Sequence, residues 1–326
     1  MDTVSTNPAT NPAGPILVIE GDSEYIAEQL RLKVPGVRIE FALSAADAPA
    51  DVSAFAGLMV IGSALKDDLL RRMTGLRWLQ LMTSGTDSLN ALTAVPEGIH
   101  ITTVRGVHPP AVSEMAIFLM MSLARRVTEL LANQRAHVWS RGSQPLLNHK
   151  TVTIVGTGVI AQELARRCRV LGMTTVGVTT TVRAIDGFDE VVPRDGLRDA
   201  AARCDFMVLL VPLDKDTRGL IDKAIFGVMK PSAYLVNLAR GPVCVEADLI
   251  AALQDGTIAG AGLDVFDVEP LPTDHALWDL PNVIITPHIG GASDRYADQV
   301  LPVVEQNLRL FSQGRESEMV NLQTRP

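Results

Sequence analysis

A short segment in the middle of the chain, Thr151 to Ala161 (TVTIVGTGVIA), places the strongest constraint on the fold. Its first half is a continuous β-branched apolar run, which is typical of a strand buried on both faces. Its second half, Gly156-Thr157-Gly158-Val159-Ile160-Ala161, follows the pattern G-x-G-x-x-A. The first glycine permits a tight turn, the second lets backbone approach a pyrophosphate, and the alanine lets the next helix pack closely on the strand.

A helix is predicted directly after this turn, from Gln162 to Leu171, with Gly172 at its end. Its N-terminal amide groups and its dipole would face the phosphates of a bound dinucleotide. A glycine turn in some other α/β protein is the plainer interpretation. The buried strand before the turn and the helix after it favour the dinucleotide site.

The composition argues against several classes of protein. The 326 residues are 47% hydrophobic and 20% charged, which is enough for two domains with their own cores. A formal net charge of −8 argues against a nucleic acid or a membrane surface as partner. No apolar run approaches the roughly 20 residues that span a bilayer. The 3 cysteines are scattered and no His/Cys cluster has metal-ligand spacing, so we expect a cytoplasmic protein with reduced thiols and no metal.

The order of elements along the chain predicts two α/β domains. Strands alternate with helices before and after the glycine turn, which indicates doubly wound parallel sheets of the Rossmann or flavodoxin type. Residues 1–15 are expected to be a disordered tail. Residues 16–110 and 298–326 are predicted to form one domain. Residues 111–297 are predicted to form the nucleotide domain, inserted in the middle of the other.

The hydrophobic pattern also predicts the bounds of individual elements. Strands are predicted at residues 16–19, 37–41, 57–61, 78–82, 152–155, 175–178, 205–211, 234–237, 259–265 and 283–286. Besides the helix after the glycine turn, helices are predicted at residues 25–32, 66–73, 112–126, 246–253 and from 296 to about 311. Residues 127–139 are expected to continue the helix that begins at Val112.

Polar side chains stand at the ends of three later strands, where open α/β sheets bind ligands. Arg240 follows the strand YLV, Asp264 ends an apolar strand, and His288 follows VIIT in a turn rich in proline and glycine. Arginine offers a planar fork for a carboxylate, although a surface ion pair is the plainer alternative. A carboxylate beside a histidine raises its pKa and fixes its tautomer, which makes a proton donor near neutral pH. Arg, Glu and His beside a nicotinamide suffice for carbonyl reduction.

Four segments in this order resemble one family, the D-2-hydroxyacid dehydrogenases, over almost the whole chain after the tail. They are the G-x-G-x-x-A loop, NLARGPV, GAGLDVFDVEPLP and LWDLPNVIITPH. The resemblance implies NAD(P)H-dependent reduction of a small 2-keto acid to a D-2-hydroxy acid, and the reverse oxidation. It further implies that Arg240 binds the carboxylate and carbonyl of the substrate, that His288 is the acid/base, and that Glu269 supports it. Residues 16–110 and 298–326 would be the substrate domain.

The resemblance also implies which residues contact the ligands. Ser84, Gly85 and Thr86 would form a backbone cradle for the substrate carboxylate. Trp78, Gly106 and Glu114 fall in matching segments as well, and we interpret them as structural. Besides Gly156 to Ile160, the cofactor-contacting positions would be Val211, Pro212, Leu238, Ala239, Asp264, Gly290 and Gly291.

The cofactor is predicted to be NADP(H) in preference to NAD(H). Members of the family that use NAD often carry Asp after the second strand, and this chain carries Thr179 there. Thr179, Thr180 and Thr181 can donate to a 2′-phosphate, and Arg183 supplies a positive charge. The next acidic residue, Asp186, is expected to be out of reach. A plain polar turn that takes both cofactors weakly is the alternative interpretation.

Two other functions stay open at this point. One is a dimeric, nucleotide-sensing binding protein like the family's transcriptional corepressors, against which the intact Arg240, Glu269 and His288 weigh. The other is oxidation of formate or phosphite on the same fold. Formate-oxidising members carry Gln where this chain has Glu269, whereas phosphite oxidation is less easily excluded.

The chain is also predicted to form a homodimer. Residues 112–139 carry apolar side chains on more than one helical face, which suits burial both inside the protomer and against a partner. Trp139 resembles a tryptophan that reaches into the partner's site in the glyoxylate/hydroxypyruvate reductase branch of the family. Simple dimer packing is the alternative for this residue.

Overall fold

The computed structural model describes residues 14–323, which divide into two compact units. Unit 1 contains the described residues up to Val107 and from Ser293 onward, and unit 2 is His108–Ala292. Unit 2 is therefore inserted in the middle of unit 1, and its limits lie a few residues before the predicted 111 and 297. Residues 1–13 of the predicted tail lie outside the described residues. The carbonyl of Pro15 accepts hydrogen bonds from the amides of Ala56 and Gly57, so ordered structure begins before Ile16.

Unit 1 is built on a sheet of six strands among the described residues. The strand order is β13-β5-β4-β3-β1-β2, parallel throughout except for the antiparallel edge strand β13. The helix α9 belongs to unit 1 and packs against α1, as predicted for the last helix. Numbered along the chain, the elements are β1 (Ile16–Ile19), α1 (Ser23–Lys33), β2 (Ile39–Ala42), β3 (Gly57–Val60), α2 (Asp67–Arg72), β4 (Trp78–Leu81), β5 (His100–Thr103), α9 (Tyr296–Ser312) and β13 (Leu322–Gln323).

Unit 2 is built on a sheet of seven parallel strands in the order β12-β11-β10-β9-β6-β7-β8. The central strands are buried on both faces, which is why they read as continuous apolar runs in the sequence. Its elements are α3 (Pro109–Ala124), α4 (Val127–Arg135), β6 (Thr151–Val155), α5 (Val159–Val170), β7 (Thr174–Thr179), β8 (Glu190–Pro193), α6 (Leu197–Arg203), β9 (Phe206–Leu209), α7 (Lys223–Phe226), β10 (Tyr234–Asn237), α8 (Glu246–Gln254), β11 (Gly260–Leu263) and β12 (Val283–Ile285).

The predicted fold class is confirmed, whereas several predicted element bounds are wrong. The helix expected at residues 112–126 begins at Pro109 and ends at Ala124, because the backbone of Arg126 is left-handed with φ +49°. Residues 127–139 therefore do not continue it, and they form the separate helix α4 only as far as Arg135. The strands β5, β8 and β13 and the helices α6 and α7 were not predicted, because they are short or have mixed patterns. Within residues 14–323, no helix combines the length and the apolarity needed to cross a bilayer.

Candidate active site

The glycine turn after β6 has the conformation that the sequence predicts. Gly156 has φ +102°, and a Cβ atom there would lie 2.7 Å from the carbonyl oxygen of Leu210. Only glycine fits this position without strain. At Gly158, by contrast, no described atom lies within 4 Å of the place a Cβ would take. The backbone at Gly158 therefore borders open space, as a site for a pyrophosphate requires.

The helix α5 begins earlier than predicted. It starts at Val159 rather than Gln162, and Gly158 occupies the position before the first helical residue. Ala161 is 1% exposed and packs in the core beside Ile154, which agrees with the close helix–strand packing expected of the alanine. The first-turn amides of α5 thus lie directly after the two glycines, where a helix terminus can bind an anion.

Arg240 is held at the end of β10 by two of its neighbours in sequence. The side chain of Asn237, 2% exposed, donates to the Arg240 carbonyl at 3.1 Å and accepts the amide of Ala239 at 3.0 Å. The Nη1 atom of Arg240 donates to the Ala239 carbonyl at 2.6 Å. A Cβ on Gly241 would lie 2.0 Å from the carbonyl carbon of Phe266, so glycine alone allows this loop to meet the segment that leads to Glu269.

Asp264 organises the turn that carries His288. Its carboxylate is 3% exposed and accepts the Thr286 hydroxyl at 2.5 Å, the Ile289 amide at 2.9 Å and the Gly290 amide at 2.8 Å. The Asp264 carbonyl accepts the amide of His288, also at 2.9 Å. His288 itself has φ +53°, a conformation that a non-glycine residue rarely adopts without such support. Asp264 therefore fixes the backbone of the turn from which the imidazole of His288 extends.

His288 and Glu269 form a direct pair. The Nδ1 atom of His288 lies 2.6 Å from Oε2 of Glu269, and the other oxygen of Glu269 accepts the amide of Phe266 at 2.9 Å. The two side chains are 46% and 35% exposed, so the pair stands at the surface of the site and not in the core. Because Nδ1 is engaged with the carboxylate, Nε2 is the ring nitrogen that can exchange a proton with a substrate.

The electrostatics of this pair favour a charged imidazole. The hydrogen bond that His288 donates to Glu269 raises the pKa of His288, against burial and the positive charge of Arg240, which lower it. Burial acts to raise the pKa of Glu269, but the hydrogen bonds from His288 and the Phe266 amide outweigh it, and the pKa of Glu269 is lowered. Arg240 affects both groups, so all three predicted catalytic side chains lie together in unit 2.

The predicted cofactor-contacting residues lie around the same edge of the unit 2 sheet. Val211 reaches the glycine turn, with its Cγ1 atom 3.1 Å from the Cβ position of Gly156. Leu238 and Asp264 both approach Gly290, at 3.0 Å and 2.8 Å from its Cβ position. The Ala239 side chain is 4% exposed and packs in the core, so this residue can offer a ligand only its backbone. Gly291 packs against the ring of His108, and Pro212 is exposed and accepts the Thr217 hydroxyl.

The loop after β7 leaves its polar residues accessible. β7 ends at Thr179 and not at Val178 as predicted, so Thr179 takes the last strand position. Thr180, Thr181 and Arg183 are all exposed. Asp186 is the first acidic residue after the strand, and it forms an ion pair with Arg166 of α5 at 2.8 Å.

The predicted carboxylate cradle belongs to unit 1. Ser84, Gly85 and Thr86 lie in the loop that follows β4. Trp78 is fully buried and donates to the Thr102 hydroxyl at 2.8 Å, and Glu114 pairs with Arg167 at 2.9 Å.

The sequence reasoning missed three residues that build the site. Asn237 and Thr286 are polar residues at the ends of apolar strands, and that position was the signal that could have identified them. Gly241 stood in a quoted motif, but its close approach to Phe266 depends on how two separate loops fold.

The fold and the site together define a nicotinamide-dependent oxidoreductase. The profile described as "D-isomer specific 2-hydroxyacid dehydrogenase, NAD binding domain" matches residues 117–290. A glyoxylate reductase of Thermococcus litoralis is 35% identical over 257 residues, which cover 76% of this chain and 77% of that protein. The chain therefore belongs to the D-isomer specific 2-hydroxyacid dehydrogenase family.

Solved structures agree with this assignment. A D-isomer specific 2-hydroxyacid dehydrogenase family protein from Aeromonas salmonicida has a TM-score of 0.87 and 30% identity, covering 95% of this chain and 99% of that one. An NADPH-dependent glyoxylate/hydroxypyruvate reductase from Sinorhizobium meliloti, in complex with NADP and sulfate, has a TM-score of 0.80 and 28% identity. The alignment covers 95% of this chain and 98% of that one.

Proposed function

We propose that this protein reduces a small 2-keto acid to a D-2-hydroxy acid with NAD(P)H, and catalyses the reverse oxidation. The observation that carries the proposal is the contact of His288 with Glu269 at 2.6 Å beside Arg240. A proton donor and a cation at one place are what reduction of a carbonyl next to a carboxylate requires. Relatives whose names refer to glyoxylate and hydroxypyruvate support a substrate of this size.

Each of the three side chains has a distinct task in this reaction. Arg240 binds the substrate carboxylate and polarises the carbonyl with its planar fork. Protonated His288 donates from Nε2 to the carbonyl oxygen and is left neutral. Glu269 keeps Nδ1 hydrogen-bonded, which orients the ring and favours its charged form. When bound, the reduced nicotinamide supplies the hydride. In unit 1, the backbone of Ser84 to Thr86 is the proposed second binding site for the carboxylate.

The residues that would hold the cofactor fit a dinucleotide. Gly156 makes the turn that no larger residue can make, and the backbone at Gly158 borders open space at the start of α5. Val211, Leu238, Asp264 and Gly290 lie along the same edge of the sheet, as the resemblance implies.

We further propose a preference for NADPH over NADH. Thr179 stands at the last position of β7, where an acidic side chain would bind a ribose 2′-hydroxyl and repel a 2′-phosphate. Thr180, Thr181 and Arg183 are exposed beside it, and Asp186 is engaged by Arg166.

The homodimer and the cytoplasmic location also belong to the proposal. α4 exposes Leu130 and Leu131 to 44% and 47%, and the segment after it exposes Trp139 to 89%. Large apolar side chains exposed so close together in sequence suit a protein–protein contact. For Trp139 both proposals stand: it reaches into the partner's site, or it packs in the dimer contact.

A substrate panel tests the proposal. Steady-state kcat/KM is measured for glyoxylate, hydroxypyruvate, pyruvate and bulkier keto acids, each with NADPH and with NADH. We expect the small keto acids to be reduced, with a D-2-hydroxy acid as product by chiral chromatography. The absence of turnover with every keto acid, or an L product, would contradict the proposal.

A further inference from the structure

The backbone of the loop after β4 is held by its carbonyl groups. The Thr83 carbonyl accepts the Val104 amide at 3.2 Å, the Gly85 carbonyl accepts the Thr83 hydroxyl at 3.0 Å, and the Thr86 carbonyl accepts the Leu89 amide at 2.9 Å. In a trans peptide the C=O and the following N–H point in opposite directions. The amides of Ser84 and Thr86 are therefore turned away from these contacts, and their direction depends on how well each carbonyl is fixed.

The entry to this loop is fixed by a residue far away in the sequence. The hydroxyl of Tyr296, the first residue of α9, donates to the carbonyl of Met82. The amide of Met82 donates to the Val60 carbonyl at 2.9 Å. Met82 is thus held from both sides, and the peptide that joins it to Thr83 cannot rotate without breaking the tyrosine contact. Tyr296 is half-buried and packs against the core of unit 1, so its ring is fixed as well.

The charge of a buried carboxylate acts on the same hydroxyl. Glu20 follows β1, is 7% exposed, and accepts the amide of Asp22 at 2.8 Å. Burial raises the pKa of Tyr296, and the negative charge of Glu20 raises it further. The hydroxyl therefore keeps its proton at any pH at which an enzyme works, and it remains a donor to Met82.

The position of these groups in the sheet is one that binds ligands. The strand order β2-β1-β3-β4-β5 is that of doubly wound folds whose ligands bind outside the carboxyl ends of the strands, next to the β1/β3 switch point. Glu20 follows β1, and Met82 to Thr86 follow β4, at that edge. Nothing in the proposed reaction uses Glu20 or Tyr296, although both are polar groups at the ligand-binding edge.

We propose that Tyr296 is a positioning residue for the substrate carboxylate, acting through the Met82–Thr83 peptide to aim the amides of Ser84 and Thr86. This inference rests on the proposed function, since it takes the loop after β4 as the carboxylate cradle. The ligand it serves is the carboxylate of a 2-keto acid, and Tyr296 does not touch that ligand itself.

The test is Tyr296→Phe, which removes only the hydroxyl. Tyr25→Phe is the matched control, because the Tyr25 hydroxyl also contacts α9, at Asp298, but not the loop. A net hydrogen bond of ordinary strength predicts that Tyr296→Phe raises KM for the keto acid about three- to tenfold, with little change in kcat. The dissociation constant for NADPH and the pH profile should stay as in wild type. Tyr25→Phe should leave all of these unchanged.

Oxalate supplies a readout that needs no turnover. It carries carboxylates but no reducible ketone, so its affinity for the protein–NADPH complex, measured by calorimetry, reports on carboxylate binding without any chemical step. We expect Tyr296→Phe to weaken oxalate by the same factor as it raises KM. Unchanged oxalate affinity and KM would overturn the inference, as would an equal loss of NADPH affinity, which would show a merely structural effect.

The two proposals fail in different ways. A wild-type protein that reduces keto acids, together with a Tyr296→Phe variant of unchanged KM, overturns the inference and leaves the proposed function intact. A wild-type protein without turnover, in which Tyr296→Phe still weakens oxalate, overturns the proposed function and supports the assignment of Tyr296.

Discussion

Atom Nδ1 of His288 lies 2.6 Å from Oε2 of Glu269, while the second oxygen of this carboxylate accepts the Phe266 amide. The carboxylate is thereby fixed between the imidazole and the backbone. Its hydrogen bond raises the pKa of His288. The proposed acid of the reaction thus remains charged to a higher pH than a histidine in water.

Glu269→Gln should change the pH dependence of the reaction. Reduction requires protonated His288, so its rate falls as pH rises through the pKa of that residue. Glutamine removes the charge that raises this pKa, so the falling limb of kcat/KM for reduction should move to lower pH. Oxidation requires neutral His288, and its rising limb should move in the same direction. Superimposable pH–rate profiles of variant and parent would show that the two residues are not coupled.

Arg240→Ala should raise KM for the keto acid and lower kcat as well. The lost charge-assisted fork predicts a fall of about 10²-fold in kcat/KM. Arg240→Lys should recover only part of it, because an ammonium lacks the planar geometry. Steady-state kinetics of the three proteins decide this point, and full activity of the lysine variant would show that a point charge suffices.

Arg183→Ala should weaken NADPH and leave NADH nearly unchanged. A hydrogen bond to a charged group is worth roughly 1.5–3 kcal/mol, so the kcat/KM ratio of NADPH to NADH should fall by about tenfold or more. Arg169→Ala is the control, since Arg169 lies in the last turn of α5, at the end opposite the glycine turn, and pairs with Asp189. Thr179→Asp should reverse the preference. Equal kcat/KM values for both cofactors in the wild type would contradict the predicted phosphate site.

Gly241→Ala should destabilise unit 2 strongly. The added Cβ would lie 2.0 Å from the carbonyl carbon of Phe266, so one of the two loops must move. We expect a loss of about 1–3 kcal/mol or more in the free energy of unfolding. At Gly142 no described atom lies within 4 Å of the Cβ position, and Gly142→Ala should be nearly neutral. Equal unfolding midpoints of the two variants in denaturant would contradict the close approach.

Leu131→Glu should convert the proposed dimer into a monomer. The residue lies on α4 with 47% of its surface exposed, and a charge there cannot be buried against a partner without a large cost. Leu32→Glu, on α1 of unit 1 with 76% of the residue exposed, should leave the mass unchanged. Light scattering across a dilution series measures both. A wild-type protein of monomer mass at every concentration would end the dimer proposal.

The sequence predicted best where one physical signal dominates. β1 and β10 have the predicted bounds, because each is a short apolar run with clear polar neighbours. The placement of Arg240 and His288 at one edge of the sheet was also predictable, since parallel strands bring their carboxyl ends together there. The break at Arg126 was not, because neither glycine nor proline marks its left-handed turn.

Contacts that join distant segments could not be read from the sequence. Asp264 binds the turn at Ile289 and Gly290 only because that turn folds back onto the end of β11. Tyr296 reaches Met82 across 214 residues, with no local pattern to indicate it. Such contacts depend on the packed structure, and they hold the groups that the motifs identify.

The most direct test of the proposed reaction is single-turnover reduction of a small keto acid by His288→Asn loaded with NADPH. Asparagine tolerates the left-handed backbone of this position better than alanine, so the variant should fold. His149→Asn, at an exposed histidine that also has positive φ, is the control. Loss of the proton donor predicts a fall of about 10²–10⁴-fold in the rate of NADPH oxidation, with unchanged NADPH affinity, and wild-type behaviour of the control. A His288→Asn variant that reduces the keto acid at the wild-type rate would show that His288 is not the acid of this reaction.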